Sequence, residues 1–455
     1  MGAWKPAPRA ADEMKLLLFA HTPPPHHVQS YMVQLMLEGL GGDHRGRHRS
    51  VAPSSMISAL GIECYHVNAR LSQKLEDIGD FRAVKLLRLF GYCLQAIWCR
   101  FRYGVTNLYY VPAPGKRFAV YRDWMVMLFC RPFFKKIILH WHAAGLGKWL
   151  ETVVSRRTRA LTYKFMGQVD NSIVLSPCNR GDAEKLLPHR VAVVGNGIPD
   201  PCPEFETQLL PRRQKRQAVR ASLLAGKQLS PAELEGAGEQ PHVFRVLFLA
   251  HCIREKGLFD ALEGVALANQ KLARENAPVR VHLTVAGSFV NPEEQAEFER
   301  RCTAADFRGG ASTNGRQFPE RLVSYAGFAG GEIKARLLEE SDCMCFPTYY
   351  YAESFGLVVI EAMAFGMPVI TSRWRSLPGI MMPDRPGLVD VRQPGQIAEE
   401  LLRLMLESEF IALRQHFLAH FTIEKHLQRL AAELRMIDEE PQAATGQVFE
   451  VSATR

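Results

Sequence analysis

Short apolar runs that end in turn residues, each followed by a helix-like stretch, recur along this chain and set what it can fold into. The first is MKLLLFAH, Met14 to His21, which stops at Pro23-Pro24-Pro25. A strand buried on both faces reads as such a run, because helices cover both sides of a parallel sheet. Gln29 to Leu40 then reads as a helix closed by Gly41-Gly42. Strand, loop and helix in that order open an α/β domain.

The same pattern returns in GIECYHVNAR, NLYYVPA, KKIILHWHAAG, NSIVLS (Asn171 to Ser176) and RVAVVGNGI (Arg190 to Ile198). Phe81 to Arg102 reads as a long basic amphipathic helix. Together these segments predict a doubly wound parallel sheet over residues 14–200. Residues 201–241 then turn polar and basic, with the run PRRQKRQAVR, and read as an inter-domain insert that contains a helix. A second series begins at FRVLFLAH, Phe244 to His251, and continues through VRVHLTVAG, LVSYAGF, CMCFPT and MPVITS. It gives a second domain over residues 242–415, followed by a C-terminal helix over 416–440 that could cross back to the first domain. The lead-in before Met14 and the tail after Glu439 read as loose chain. Two Rossmann-like domains facing each other place a cleft at the carboxyl ends of their strands.

Composition narrows the partners without choosing one. The 455 residues carry a net charge of +9, which points to an anionic partner: nucleic acid, an acidic membrane face or a phosphorylated substrate. The ten cysteines form no C-x-x-C pair and read as buried free thiols of a reducing, cytoplasmic compartment. No signal-peptide pattern, N-x-[ST] sequon or run long enough to span a bilayer occurs. A basic run alone, without a nucleic-acid motif, argues against nucleic acid.

One motif carries the chemistry: Glu353-Ser354-Phe355-Gly356-Leu357-Val358, continuing to Glu361 and then to Gly366 and Pro368. A helix starting between Ser354 and Leu357 would aim its free N–H groups at an anion such as a phosphate. Gly356 permits close backbone approach. Glu361 lies on an otherwise apolar helix and needs a partner; a ribose diol suits a carboxylate. A second candidate is the turn after the FRVLFLAH strand, with His251, Arg254, Lys256 and Gly257. His140 and His142 alternate onto one strand face, so an H-x-H metal pair is conceivable, but no third ligand suggests itself.

The spacing E-x7-E followed by A-x-A-x-G-x-P-V resembles the retaining glycosyltransferases of family 4. The resemblance is good from Phe244 to about Pro378, looser before Pro199 and absent from Pro211 to Pro241. It implies the α/β GT-B fold and a nucleotide-sugar donor. Glu353 would approach the donor sugar, Glu361 would hold the ribose, and Ser354, Phe355, Gly356, Leu357 and Val358 would meet the sugar and diphosphate. Lys256 would be a point charge on the diphosphate, and His251 or Arg254 would stand in for the family's Arg. His142 would face the donor sugar, and His27 and Gln29 in the first loop would be polar contacts. The sequence departs from the family pattern at Val28, which stands for a Gly, at His251, and at Gly379, which stands for a Glu. No D-x-D motif occurs, so neither a metal nor a separate cofactor is expected. The acceptor would be a glycan or lipid-linked hydroxyl in polysaccharide or glycolipid synthesis. The basic helix from Phe81 to Arg102, with Lys85, Arg88 and Trp98, could lie on the inner face of an anionic membrane. The alternative to an enzyme is a catalytically degenerate sugar-nucleotide binder.

Overall fold

The structure, a computed structural model, describes residues 14–24, 28–46, 60–71, 83–113, 115–304, 307–309, 318–383, 386–407 and 409–439. The lead-in, the tail and His27 lie outside the described residues.

Among the described residues, twelve strands form two six-stranded sheets in which every pairing is parallel. The first holds β1 (Met14–Ala20), β2 (Ile62–Asn68), β3 (Asn107–Tyr110), β4 (Lys136–Trp141), β5 (Asn171–Val174) and β6 (Arg190–Val193) in the order β2-β1-β3-β4-β5-β6. The second holds β7 (Val243–Leu249), β8 (Arg280–Ala286), β9 (Val323–Gly327), β10 (Cys343–Phe346), β11 (Val369–Ser372) and β12 (Leu388–Val389) in the order β12-β11-β10-β7-β8-β9. Most of these strands are buried along nearly their whole length, as their apolar runs require. In each sheet the order reverses once, between β1 and β3 and between β7 and β10. Crevices open at such points in doubly wound sheets.

In the first half, α1 (Val28–Gly39) follows β1, α2 (Ala83–Tyr103) follows β2, and α3 (Arg117–Cys130) joins β3 to β4. The sequence does not announce α3, because its apolar residues surround the helix almost evenly and no face stands out. The core on one side of the sheet includes Leu17, Phe19 and Leu139, with Leu89, Cys93, Ala96 and Cys99 of α2 packed on it. All ten cysteines are free thiols, and Cys343 and Cys345 are fully buried in β10, but against expectation Cys178 is exposed and Cys302 half-buried.

The basic segment between the sheets is packed rather than solvated where it forms α4 (Leu210–Leu224). Arg213, Arg216 and Arg220 lie three and four residues apart, so they share one face, and all three are buried. Arg216 reaches both oxygens of Asp342 at 3.1 and 3.2 Å, and Arg220 approaches one at 3.1 Å. Arg213 donates to the carbonyls of Leu338 (2.8 Å), Ser341 (2.5 Å) and Phe365 (3.1 Å). The segment is thereby bolted to the second sheet just ahead of β10.

Four further helices bear on the site: α5 (Leu258–Arg274) after β7, α6 (Gly331–Glu340) after β9, α7 (Leu357–Ala364) after β10, and α8 (Phe410–His420). The last described helix, α9 (Ile423–Glu439), returns to the first half. There Leu427, Leu430, Ala431, Leu434 and Ile437 pack with Met14, Leu16 and Leu18. Residues three and four apart make that apolar stripe. The crossing is tight: Gly197 faces the Thr422 backbone so closely that no Cβ would fit.

The carboxyl ends of the two sheets meet. Ser354, beyond β10, donates from Oγ to the carbonyl of His142, beyond β4, at 2.6 Å. Asn179 Nδ2 donates back to the Ser354 carbonyl at 3.1 Å. Met32 and Leu35 of α1 enter an apolar cluster with Phe355, Leu338 and Ala329 of the second half. This is the GT-B arrangement, two Rossmann-like domains face to face across a cleft.

Candidate functional site

The site grows from the two loops at the switch point of the second sheet. The loop after β7 ends at Gly257, which adopts φ +82° and caps α5. The loop after β10 lies against it: Tyr349 N donates to the Glu255 carbonyl at 2.8 Å. Thr348 Oγ1 adds a bond to the same carbonyl at 3.3 Å. Trp374 Nε1 braces the second loop from behind through the Tyr350 carbonyl at 2.8 Å. A Cβ on residue 257 would press into the Pro347 carbonyl. Gly257→Ala is therefore expected to cost at least about 2 kcal/mol, from left-handed backbone strain plus the clash. Thermal denaturation checks this, and a melting temperature equal to that of the parent would refute it.

These loops bring Lys256 and Glu353 together. The Lys256 ammonium is 2.6 Å from Glu353 Oε2, with both side chains largely buried. It also lies 4.7 Å from the ring centre of Tyr350 and 5.4 Å from that of Phe346. Cation–π attraction and the carboxylate hold the ammonium at one point. Tyr350 and Phe346 are thus contributors that motif reading does not pick out, since an aromatic in a strand end reads as core.

The backbone after Glu353 then turns into α7. Ser354 and Phe355 are buried, with Phe355 edge-on to Phe421 at 6.1 Å and against Gly195. Gly356 adopts φ +74° at the helix start, where a Cβ would come within 2.7 Å of Leu377. Leu357 and Val358 open the helix, and its first turn contains no acidic residue. Its free N–H groups and positive dipole end form a site suited to an anion.

One turn further on, Glu361 is buried, and its Oε1 accepts from Lys334 Nζ at 2.7 Å. Lys334 sits on α6, where a lysine on an amphipathic helix reads as solvated surface, so the sequence does not single it out. Tyr31 of α1 reaches the same place from the other domain. Its phenol is raised above its usual range by burial and by the carboxylates of Glu361 and Glu38, against the opposing pull of Lys334.

On the first domain, His140 and His142 lie with ring centres 4.2 Å apart at the end of β4. His140 Nδ1 is hydrogen-bonded to the Tyr109 hydroxyl. Burial, then the neighbouring His142 and His426, hold the His140 imidazole well below its usual range, so it is neutral. His142 itself is buried beside the Ser354 contact. Among the described residues, no group of three or more His, Cys, Asp or Glu is placed to hold a metal ion.

The remaining candidates are more dispersed. Arg254 pairs with Glu297 and lies 4.4 Å from the ring centre of Phe259. Its own amide donates to Glu294 at 2.9 Å. His251 is solvent-accessible, yet crowding and the Lys256 ammonium lower its pKa. Gln29 lies in the first turn of α1 rather than in a loop, beside Val28. His27 is outside the described residues.

Residues 243–407 match the family model described as Glycosyl transferases group 1, a span that contains Lys256, Glu353 and Glu361. No curated protein matches the chain. Among solved structures, it is similar to sucrose-phosphate synthase from Thermosynechococcus elongatus, with TM-score 0.59 and 16% identity over 93% of this chain and 99% of that one. Anabaena Alr3699/HepE in complex with UDP-glucose aligns with TM-score 0.57 and 13% identity, over 92% of this chain and 99% of that one. A glycosyltransferase from Rickettsia africae aligns with TM-score 0.60 and 12% identity, over 95% and 100%. At these identities the likeness is one of fold, the GT-B fold, along nearly the whole chain.

Proposed function

We propose that this protein is a retaining glycosyltransferase that moves a sugar from a nucleotide-diphosphate sugar to an acceptor hydroxyl. The observation that carries the reading is the Lys256–Glu353 pair, set at the switch point beside the open N-terminus of α7, with Glu361 one turn along that helix. The family match over residues 243–407 supports it. UDP is the donor nucleotide we favour, because Alr3699/HepE, similar in fold, is described with UDP-glucose.

In this reading both ion pairs are resting contacts that the donor replaces. The Lys256 ammonium moves from Glu353 to the diphosphate, which the first turn of α7 also meets. Glu353, released, accepts hydrogen bonds from sugar hydroxyls. Glu361 exchanges Lys334 for the ribose diol, and Lys334 stays within reach of the nucleotide. Charge developing on the leaving diphosphate is then met by a cation and a helix dipole that donor binding has already put in place. The acceptor hydroxyl attacks the anomeric carbon from the face the diphosphate leaves, and a phosphate oxygen takes its proton. The C–O bond to the acceptor forms as the C–O bond to phosphate breaks, with no side-chain nucleophile. His142 positions the sugar from the first domain. The acceptor is a glycan or lipid-linked glycan.

A thermal-shift screen with UDP, GDP, ADP and CDP sugars tests the donor site. A ligand that binds only the folded state raises the melting temperature, by about 2.7 kcal/mol of stabilisation at a hundred times Kd. UDP-sugar is expected to stabilise the parent and to lose most of that effect in Glu361→Ala. Absence of a shift with all four sugars, on folded protein, would remove the donor-site reading. A second reading, a binder without transfer activity, draws on Arg254, which is committed to Glu297 and Phe259 and leaves Lys256 as the nearer cation. Slow hydrolysis of the bound donor separates the two: an enzyme shows it and a binder does not.

A further inference from the structure

One stretch of the first domain is strongly basic. Residues 83–136 contain ten Lys and Arg against a single Asp, a surplus equal to the +9 of the entire chain. That Asp123 is buried, with Arg122 donating to it at 2.8 Å. The stretch comprises α2, β3, α3 and the start of β4, and α2 contains no acidic residue.

The same helices expose large apolar side chains. Leu89, Cys93, Ala96 and Cys99 bury one face of α2. The opposite face carries Leu87 (72% exposed), Leu94, Trp98 (53%) and Phe101 (69%), spaced three, four or seven residues apart. Residues at that spacing form one continuous stripe. The stripe extends onto its neighbours: Phe90 packs on Phe129 of α3 at 5.2 Å, and Phe101 on Phe133, just after α3, at 6.0 Å. Leu128 and Phe118 of α3 are exposed as well. Contiguous apolar surface of this kind marks a contact site. Arg88 and Arg102 of α2, Arg117 of α3 and the preceding Lys116 are exposed as well.

We propose that the α2–α3 face docks on an anionic lipid bilayer. The charge selects the partner: a helix with an apolar stripe, basic flanks and no acidic residue is complementary to a negatively charged lipid surface with a hydrocarbon interior. A soluble acidic partner would satisfy the arginines but leave the stripe of Leu, Trp and Phe in water. A second copy of this chain would set the exposed Arg88, Arg102, Lys116 and Arg117 against like charges. The described helices include none long and apolar enough to cross a membrane, so the contact is peripheral. Topology also orients it. Both α2 and α3 run from the carboxyl edge of the first sheet to its amino edge, so the face begins at the rim of the cleft. An acceptor anchored in the bilayer would present its head group there. Docking rests on the face alone; only the acceptor's anchoring depends on the transferase reading.

Vesicle flotation of the full chain tests the proposal, with pure phosphatidylcholine against equal parts phosphatidylcholine and phosphatidylglycerol. The parent is expected to float with the anionic vesicles, roughly tenfold or more above the neutral ones. The double substitutions Leu87→Ser/Phe101→Ser and Arg88→Glu/Arg102→Glu should each lower that binding roughly tenfold. Because these residues are exposed, both variants should keep the parent's melting temperature and its shift with nucleotide sugar, which isolates docking from the donor site. Equal flotation with both vesicle types, none with either, or variants that bind like the parent would overturn it. So would sedimentation equilibrium showing a dimer that Leu87→Ser/Phe101→Ser dissociates, which would give the face to a second copy.

Discussion

Replacing Glu353 with Ala is expected to slow sugar transfer by about 10²–10³-fold, equivalent to roughly 3–4 kcal/mol of transition-state stabilisation. The size follows from what the carboxylate does in the structure. It fixes the Lys256 ammonium at 2.6 Å, at the point where the two switch-point loops meet. In the proposed mechanism it then contacts the sugar while the lysine meets the diphosphate. Losing it therefore removes the sugar contact in the donor complex and, before the donor arrives, the carboxylate that orders the lysine. Lys256→Met, which removes the cation that meets the diphosphate, should cost a similar factor. Glu353→Ala should still show the UDP-sugar thermal shift, since Glu361 is untouched. Steady-state kinetics with the donor at saturation checks the rate. Parent-like activity in Glu353→Ala would sink the assignment.

Asp342→Ala is expected to be the most destabilising single substitution away from the cleft, at about 3–5 kcal/mol. Burial by itself would raise the Asp342 carboxyl, but Arg220 and Arg216 against it hold it well below the usual carboxylate range. The Arg245 amide adds a hydrogen bond at 2.9 Å. Removing the anion leaves two buried guanidiniums without their counter-charge, which is the costly case for a buried ion pair. For a unit of this size the loss corresponds to a melting-temperature drop of about 10 °C. The sign with pH is definite. A depressed folded-state pKa gives stability that is fully present above the unfolded value, about 3.9, and is lost as pH falls toward the folded value. The gap between parent and Asp342→Ala should thus be constant near neutrality and narrow below about pH 4. A melting temperature within about 2 °C of the parent would show that the network contributes little.

How much of this was legible in the residues differs between fold and site. The buried strands could be read because parallel strands covered on both faces need continuous apolar runs, and MKLLLFA or CMCF admit few alternatives. The helix α3 could not, because apolar residues on all sides give no periodic signal, and β12, only Leu388–Val389, is too short to give one. The segment around PRRQKRQAVR shows the opposite trap. Its arginines look solvated in one dimension, and only the position of Asp342, more than a hundred residues later, makes their burial tolerable.

In the site, the E-x7-E spacing, Gly356 and Lys256-Gly257 could be picked out locally, since each marks a helix start or a turn with its own backbone demand. Their partners could not. Lys334 meets Glu361 because α6 packs beside α7, and Tyr350 meets Lys256 because two loops far apart in sequence are hydrogen-bonded to each other. The commitment of Arg254 to Glu297 and Phe259 likewise depends on where the helix Pro292–Cys302 lies.

The sequence by itself thus determined two parallel sheets in an α/β fold and the acidic motif at the switch point of the second, because burial periodicity and backbone geometry are local properties. Tertiary structure alone decided which charges face each other: Lys256 with Glu353, Lys334 with Glu361, and α4 with Asp342. It also decided that one apolar stripe of α2 is covered while the other is left open among the chain's surplus positive charge. Electrostatic pairing and exposure depend on distances in space, and along the chain those partners are separated by tens to hundreds of residues.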